Sequence, residues 1–210
     1  MKKLIIVLFL CFNAFGQKDI ALDSIQKTNP IIFSEGYFGG AGSNNGGLWL
    51  LGYNLNYQFN DKDLLTARFS GLLGTYDNYL LSSPLLILPF SVRKETQVEF
   101  ALLYGKRWVY DNFSFSVSTG ISHVDRDYYK KVDNYYENIS DNYFGVPIEL
   151  NIKWFKSEKK RFRAYYGLIP IGKRKVSFGR SVGFKLTGNF AKNSYIGLAL
   201  TYGFGWHKKY

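Results

Sequence analysis

The segment "SYIGLALTYGFGWHKKY", Ser194 to Tyr210, decides the fold. From Ile196 the even positions read Leu198, Leu200, Tyr202, Phe204 and Trp206. The odd positions read Gly197, Ala199, Thr201, Gly203, Gly205 and His207. A period of two is an extended strand, and two such different faces meet two different environments. In a soluble sheet the solvent face would hold Lys, Glu and Thr. Here the face opposite the apolar one is mostly Gly and Ala, so the strand is inside out. A lipid-facing exterior and a narrow interior explain it, because a small closed barrel has only just enough interior for side chains.

The alternation recurs upstream. "LWLLGYNLNYQF" sets Trp49, Leu51, Tyr53, Leu55, Tyr57 and Phe59 against Gly52, Asn54, Asn56 and Gln58. "QVEFALLYGKRWVY" sets Phe100, Leu102, Tyr104 and Trp108 against Gln97, Glu99, Gly105 and Arg107, and "FSFSVSTGIS" alternates Phe, Val and Ile with Ser and Gly. Strands are predicted at 35–42, 48–59, 64–76, 97–110, 113–124, 144–155, 177–189 and 194–207. Short turns at 60–63 and 111–112 alternate with long polar stretches at 77–95 and 125–143 in which no strand is legible. This is the two-ended plan of an outer-membrane barrel, with short periplasmic turns and longer outer loops. Closure follows because no backbone donor is left bare in lipid. Eight strands return both ends of the chain to one side. Residues 156–176 then form a long periplasmic connection, read as a strand extension or a small hairpin; a ten-stranded barrel is the alternative.

The fold class is therefore all-β, a closed antiparallel transmembrane barrel. On these strands and on the aromatic-ended last one, the chain resembles the small eight-stranded outer-membrane proteins of Gram-negative bacteria, the OmpA-domain and OmpX-like group. The resemblance implies that Tyr202, Phe204, Trp206 and Tyr210 form part of an aromatic girdle and the signal read by the barrel-assembly machinery. Lys208 and Lys209 interrupt that pattern. It brings no catalytic motif.

The first residues read as an address. Lys2 and Lys3 precede the apolar run Leu4 to Phe12, and Ala14-Phe15-Gly16 is a small-x-small site, so residues 1–16 are expected to be a secretory signal peptide. Residues 17–34 then form a periplasmic segment and 35–210 the barrel. The one cysteine, Cys11, lies in the leader, preceded by Leu10 rather than the small residue of a lipoprotein signal. No later stretch is apolar enough for a transmembrane helix.

Strand parity points Arg68, Glu99, Arg107, Glu149, Lys153 and Lys185 inward. They read as a charge network filling the lumen; a narrow ion path is the rival. Ser122 and His123, with Asp125 and Asp127, raise a lipid A-modifying enzyme as a second rival, but neighbours on a strand point to opposite faces. "GGAGSNNGG", Gly39 to Gly47, precedes a strand and not the helix a phosphate cradle needs. The chain carries a net charge of +11. Much of it lies in Lys156, Lys159, Lys160, Arg161, Arg163, Lys173, Arg174 and Lys175, which suit anionic headgroups or acidic envelope polymers. The outer stretch 125–143 is instead acidic and tyrosine-rich. A monomeric outer-membrane protein in contact with lipid and lipopolysaccharide is expected, structural or surface-interacting, with no enzyme activity, cofactor, metal or nucleic-acid partner.

Overall fold

A computed structural model describes residues 29–83, 86–132, 135–164 and 169–209; of these, 76–83, 86–93, 130–132, 135–136, 160–164 and 169–176 are described by backbone alone. The expected leader 1–16, most of the expected segment 17–34, and Tyr210 lie outside the described residues.

Among the described residues ten strands follow in chain order: β1 (Ile31–Ser43), β2 (Gly46–Phe59), β3 (Asp63–Ser83), β4 (Leu86–Val109), β5 (Phe113–Val132), β6 (Tyr135–Phe155), β7 (Lys160–Ala164), β8 (Ile169–Val176), β9 (Gly179–Phe190) and β10 (Tyr195–Gly205). Eight close a barrel in the order β1-β10-β9-β6-β5-β4-β3-β2, and β7 with β8 forms a separate two-stranded sheet. All pairings in the barrel are antiparallel. Closure is made by the segment that first revealed the fold, which pairs with β1 from Phe33↔Gly205 to Ser43↔Tyr195. At 11 residues β10 has the length of a tilted membrane-spanning strand.

The strands differ from expectation at the start of β1 and in the two outer stretches. β1 is already paired at Ile31, opposite Gln58, so the barrel starts four residues before position 35. The outer stretches are not strandless. β3 and β4 stay paired up to Ser83↔Leu86, and β5 and β6 up to Val132↔Tyr135. The ladder survives there because backbone pairing needs no apolar face, while the alternation that reveals a strand disappears once neither face meets lipid. The connection 156–178 contains the β7–β8 hairpin, outside the closed sheet, and this excludes a ten-stranded barrel.

On the side opposite the long hairpins two of the three connections are tight turns. Asn60 and Asp61 take φ of 44° and 61°, a left-handed conformation that Asn and Asp tolerate best among non-glycine residues. The next turn is closed by Tyr110 N–H donating to the Phe113 carbonyl (2.8 Å). Both long hairpins rise on one side of the barrel. β4 and β5 remain paired up to Glu95↔Tyr128, whereas β3 leaves β2 above Leu73 and β6 leaves β9 before Val146.

Candidate functional site

The exterior is an apolar belt. Every even residue of β10 from Ile196 to Phe204 is exposed and every odd one buried. Trp49, Leu51, Leu55, Leu73, Phe100, Leu102, Ile121, Phe144, Val146 and Phe184 continue the exposed surface around the other strands. In water such a surface would be a very large apolar patch; in a bilayer it is the solvated one. Near the tight turns the belt becomes aromatic. Trp108 stacks on Phe115 (5.8 Å), Tyr110 on Phe113 (5.6 Å), and Trp154 lies against Phe113 (6.0 Å) and Phe184 (6.1 Å). Tyr202 meets Phe204 edge-on at 4.8 Å, and Trp206 meets Phe178 at 5.4 Å.

Inside, the lumen is layered. At the end where β1 begins and β10 finishes, Ile31, Phe33 and Leu64 form a buried apolar cluster. His207 lies between Phe33 (5.1 Å) and Phe155 (5.5 Å). Burial, with Lys153 and Arg107 close by, pushes its imidazole down to about 3, so it is neutral. Arg107 reaches across this layer, donating to Gln58 Oε1 (2.6 Å), Ser114 Oγ (3.0 Å) and the His207 carbonyl (2.9 Å). Its guanidinium lies over the Phe33 ring at 4.8 Å.

The middle layer is ionic. Glu35 pairs with Lys153 and, at 2.8 Å, with Lys185. Lys185 also pairs with Glu149 at 3.0 Å. Asn54 Nδ2 donates to Glu35 (3.1 Å) and to both oxygens of Glu149 (3.0 Å each). Arg68 pairs with Glu99, lies 3.6 Å from Glu149, and donates to Thr187 Oγ1 (2.6 Å). Glu99 also accepts from Tyr195 Oη (2.9 Å) and Asn189 Nδ2 (2.9 Å).

Above it, Tyr37, Ala41, Leu48, Leu50, Leu72, Tyr195 and Ala199 form a second apolar cluster. Beside the mouth below the long hairpins Arg126 holds Glu95 through two bonds (2.8 and 2.9 Å), and Asn193 donates to Glu95 and Gln97.

The strand order gives these bonds their meaning. In a ring of eight, β3 faces β9, β2 faces β6, and β4 faces β10. Arg68 to Thr187, Asn54 to Glu149, and Glu99 to Tyr195 therefore each join diametrically opposed walls.

Arg68, Glu99, Arg107, Glu149, Lys153 and Lys185 are all buried. Parity reasoning missed three charged members of the lumen. Glu35 stood at the assumed first position of a glycine-rich strand, and Glu95 and Arg126 stood in stretches read as loops. It also passed over the inward Leu50, Leu64, Leu72 and Leu103, which are hidden in sequence by outward apolar neighbours. Tyr202 and Phe204 are exposed on the belt and Trp206 is half-buried. Lys156 and Lys159 are exposed on the tether to the second sheet; Lys160, Arg161 and Arg163 belong to β7, and Lys173, Arg174 and Lys175 to β8.

Ser122 and His123 are not brought together. The Ser122 hydroxyl faces the lumen and accepts from Asn189 Nδ2 at 2.9 Å. His123 faces outward between its register partners Phe100 and Phe144, with Nε2 3.4 Å from Asp125 Oδ1. The glycine-rich segment 39–47 is the β1–β2 hairpin, turning at Asn44-Asn45 with Gly46 at φ 120°. Among the described residues no helix is long and apolar enough to cross a membrane.

No family model matches the chain, and no curated protein matches it in sequence. Among solved structures it is similar to the N-terminal β-barrel domain of Pseudomonas aeruginosa OprF, at 12% identity over 84% of this chain and 98% of that one, with a TM-score of 0.45. It is similar also to Neisserial surface protein A, at 9% identity over 83% and 95% of the two chains with a TM-score of 0.48. A third is Ail, the attachment invasion locus protein of Yersinia pestis, at 11% identity over 82% and 96% with a TM-score of 0.40.

Proposed function

We propose that this protein is a monomeric outer-membrane barrel whose lumen is closed by its own side chains, and whose role is structural or surface-interacting and not enzymatic. The observation that carries this reading is the set of polar bonds joining opposite walls, Arg68 to Thr187 among them. Water and ions following the bore would have to displace fully buried, multiply bonded charges, whose desolvation is tolerable only while they stay paired. The apolar belt supports a bilayer location, and the leader-like first 16 residues support export. Outer-membrane lipid and lipopolysaccharide are the partners that suit the belt, and the barrel-assembly machinery is the partner that suits β10. The hairpins β3–β4 and β5–β6 extend beyond the belt, and the tyrosines of 125–143 suit contact with a surface partner, since tyrosine gives contact area at low entropic cost.

Planar-bilayer recording of the folded protein tests the closed lumen: silence is expected, and discrete conductance steps would overturn it. Lipid A from cells expressing the protein is expected to keep its acylation pattern. A change abolished by His123→Ala would instead establish an enzyme.

A further inference from the structure

The β7–β8 hairpin leaves the barrel at Phe155 and returns at Gly179. Between 156 and 176 the sequence places eight bases and one acid, Glu158, interleaved with Phe162, Ile169 and Ile171. The tethers are short, residues 156–159 on one side and 177–178 on the other. At an extended rise of about 3.4 Å per residue, the longer one spans no more than roughly 14 Å. Both start at the aromatic girdle, one just after Trp154 and the other at Phe178, which packs against Trp206. The base of the hairpin is thus held at the level of the lipid headgroups.

Asp61, Asp63 and Asp111 occupy the turns at the same end, and each is engaged by a lysine from outside the hairpin: Asp61 by Lys209 (2.5 Å), Asp63 by Lys106 (2.5 Å) and Asp111 by Lys208 (2.9 Å). The register sets Arg161 directly opposite Lys175, a cross-strand pairing of like charge that destabilises an isolated ribbon. A two-stranded sheet with no third strand is already marginal in water. A surface of phosphates would offset both defects, bringing counter-charge and holding the ribbon flat.

We propose that β7–β8 is a docking element for anionic phospholipid headgroups in the leaflet at this end of the barrel. The inference rests on the membrane-spanning reading above. It assigns a function to the most concentrated charge in the chain.

The full chain, without its leader, is folded into vesicles of mixed phosphatidylcholine and phosphatidylglycerol, extracted as lipid-retaining particles, and the retained lipid is quantified. Enrichment of phosphatidylglycerol over the bulk ratio by about threefold or more is expected, falling towards the bulk ratio at high salt. The variant Arg161→Gln/Arg163→Gln/Lys173→Gln/Arg174→Gln/Lys175→Gln lies wholly outside the barrel, so its heat-modifiable gel migration is expected to match the parent while the enrichment is lost. Bulk composition in the parent, or equal enrichment in the variant, would overturn the proposal. So would charge-dependent binding to isolated cell-wall sacculi without lipid enrichment, which would identify a polymer as the partner. A parent chain that never becomes heat-modifiable in vesicles would instead overturn the membrane reading beneath it.

Discussion

Glu35→Gln is the sharpest perturbation of the lumen. Glu35 is buried at the middle of the ionic layer and joins Lys153 to Lys185. Lys185 keeps a second carboxylate, Glu149, at 3.0 Å. Lys153 has no such reserve among the described ion pairs; its other close neighbour is the face of Phe33, 4.4 Å away. Removing the charge at 35 therefore strands one ammonium inside the barrel. Breaking a buried pair from one side costs about 3–5 kcal/mol, while replacing both partners with groups of similar volume is close to neutral. Lys153→Met should cost less, about 1–3 kcal/mol, because Glu35 retains Lys185 and the donor Asn54. The double variant Glu35→Gln/Lys153→Met should be more stable than Glu35→Gln alone, with a coupling of at least about 2 kcal/mol. The assay is urea unfolding of the protein in lipid vesicles, followed by heat-modifiable migration and tryptophan emission. Additive losses, with coupling below about 0.5 kcal/mol, would refute the claim that these charges meet in a dry bore.

Three further outcomes follow from the same geometry. Leu200 is 58% exposed at the middle of β10 and Thr201 is 3% exposed, so Leu200→Arg should cost about 2–4 kcal/mol and impair insertion, while Thr201→Ser should leave heat-modifiability intact. Gly52 faces Tyr37 directly, and a Cβ there would stand 2.2 Å from the phenol ring; Gly52→Ala should cost about 1–3 kcal/mol, against about 0.5 kcal/mol or less for Gly71→Ala, whose Cβ would meet its nearest atom at 3.8 Å, with urea midpoints as the readout. His207 is held neutral in the fold, with its value lowered from 6.5 to about 3. Its contribution is therefore complete above pH 6.5 and is lost as the pH falls towards 3. Between pH 6.5 and 5 the parent should lose about 2 kcal/mol more stability than His207→Leu, and equal losses would show that the imidazole is hydrated.

How much was legible depended on which solvent each face meets. Between the girdles one face meets lipid and the other the lumen, so a period of two marks both the strand and its inward side. Arg68, Glu99 and Lys185 could be assigned on parity alone for that reason. Above the belt the outward face no longer meets lipid, the alternation ends, and the ladder continues unannounced; Glu95 and Arg126, buried on the inward face, were lost with it. Glu35 escaped because Gly36, Gly39, Gly40 and Gly42 give β1 too few side chains to show a pattern. The inward leucines escaped for the opposite reason, since Leu50 lies between Trp49 and Leu51 and merges into one apolar run. Pairings across the bore lie beyond any local pattern. Arg68 and Thr187 are 119 residues apart, and the order and stagger of eight strands bring them together.

The central claim is that the even row of β10 faces lipid. Single cysteines at 196, 198, 200, 202 and 204, each carrying a nitroxide, can be read in vesicles by their collisions with oxygen and with a water-soluble nickel complex; the sequence from residue 17 onward contains no native cysteine. The ratio of oxygen to nickel accessibility should be high along the row, peak near 200 and decline towards 196 and 204, tracing depth in the bilayer. A flat, water-like ratio at all five positions would contradict the account.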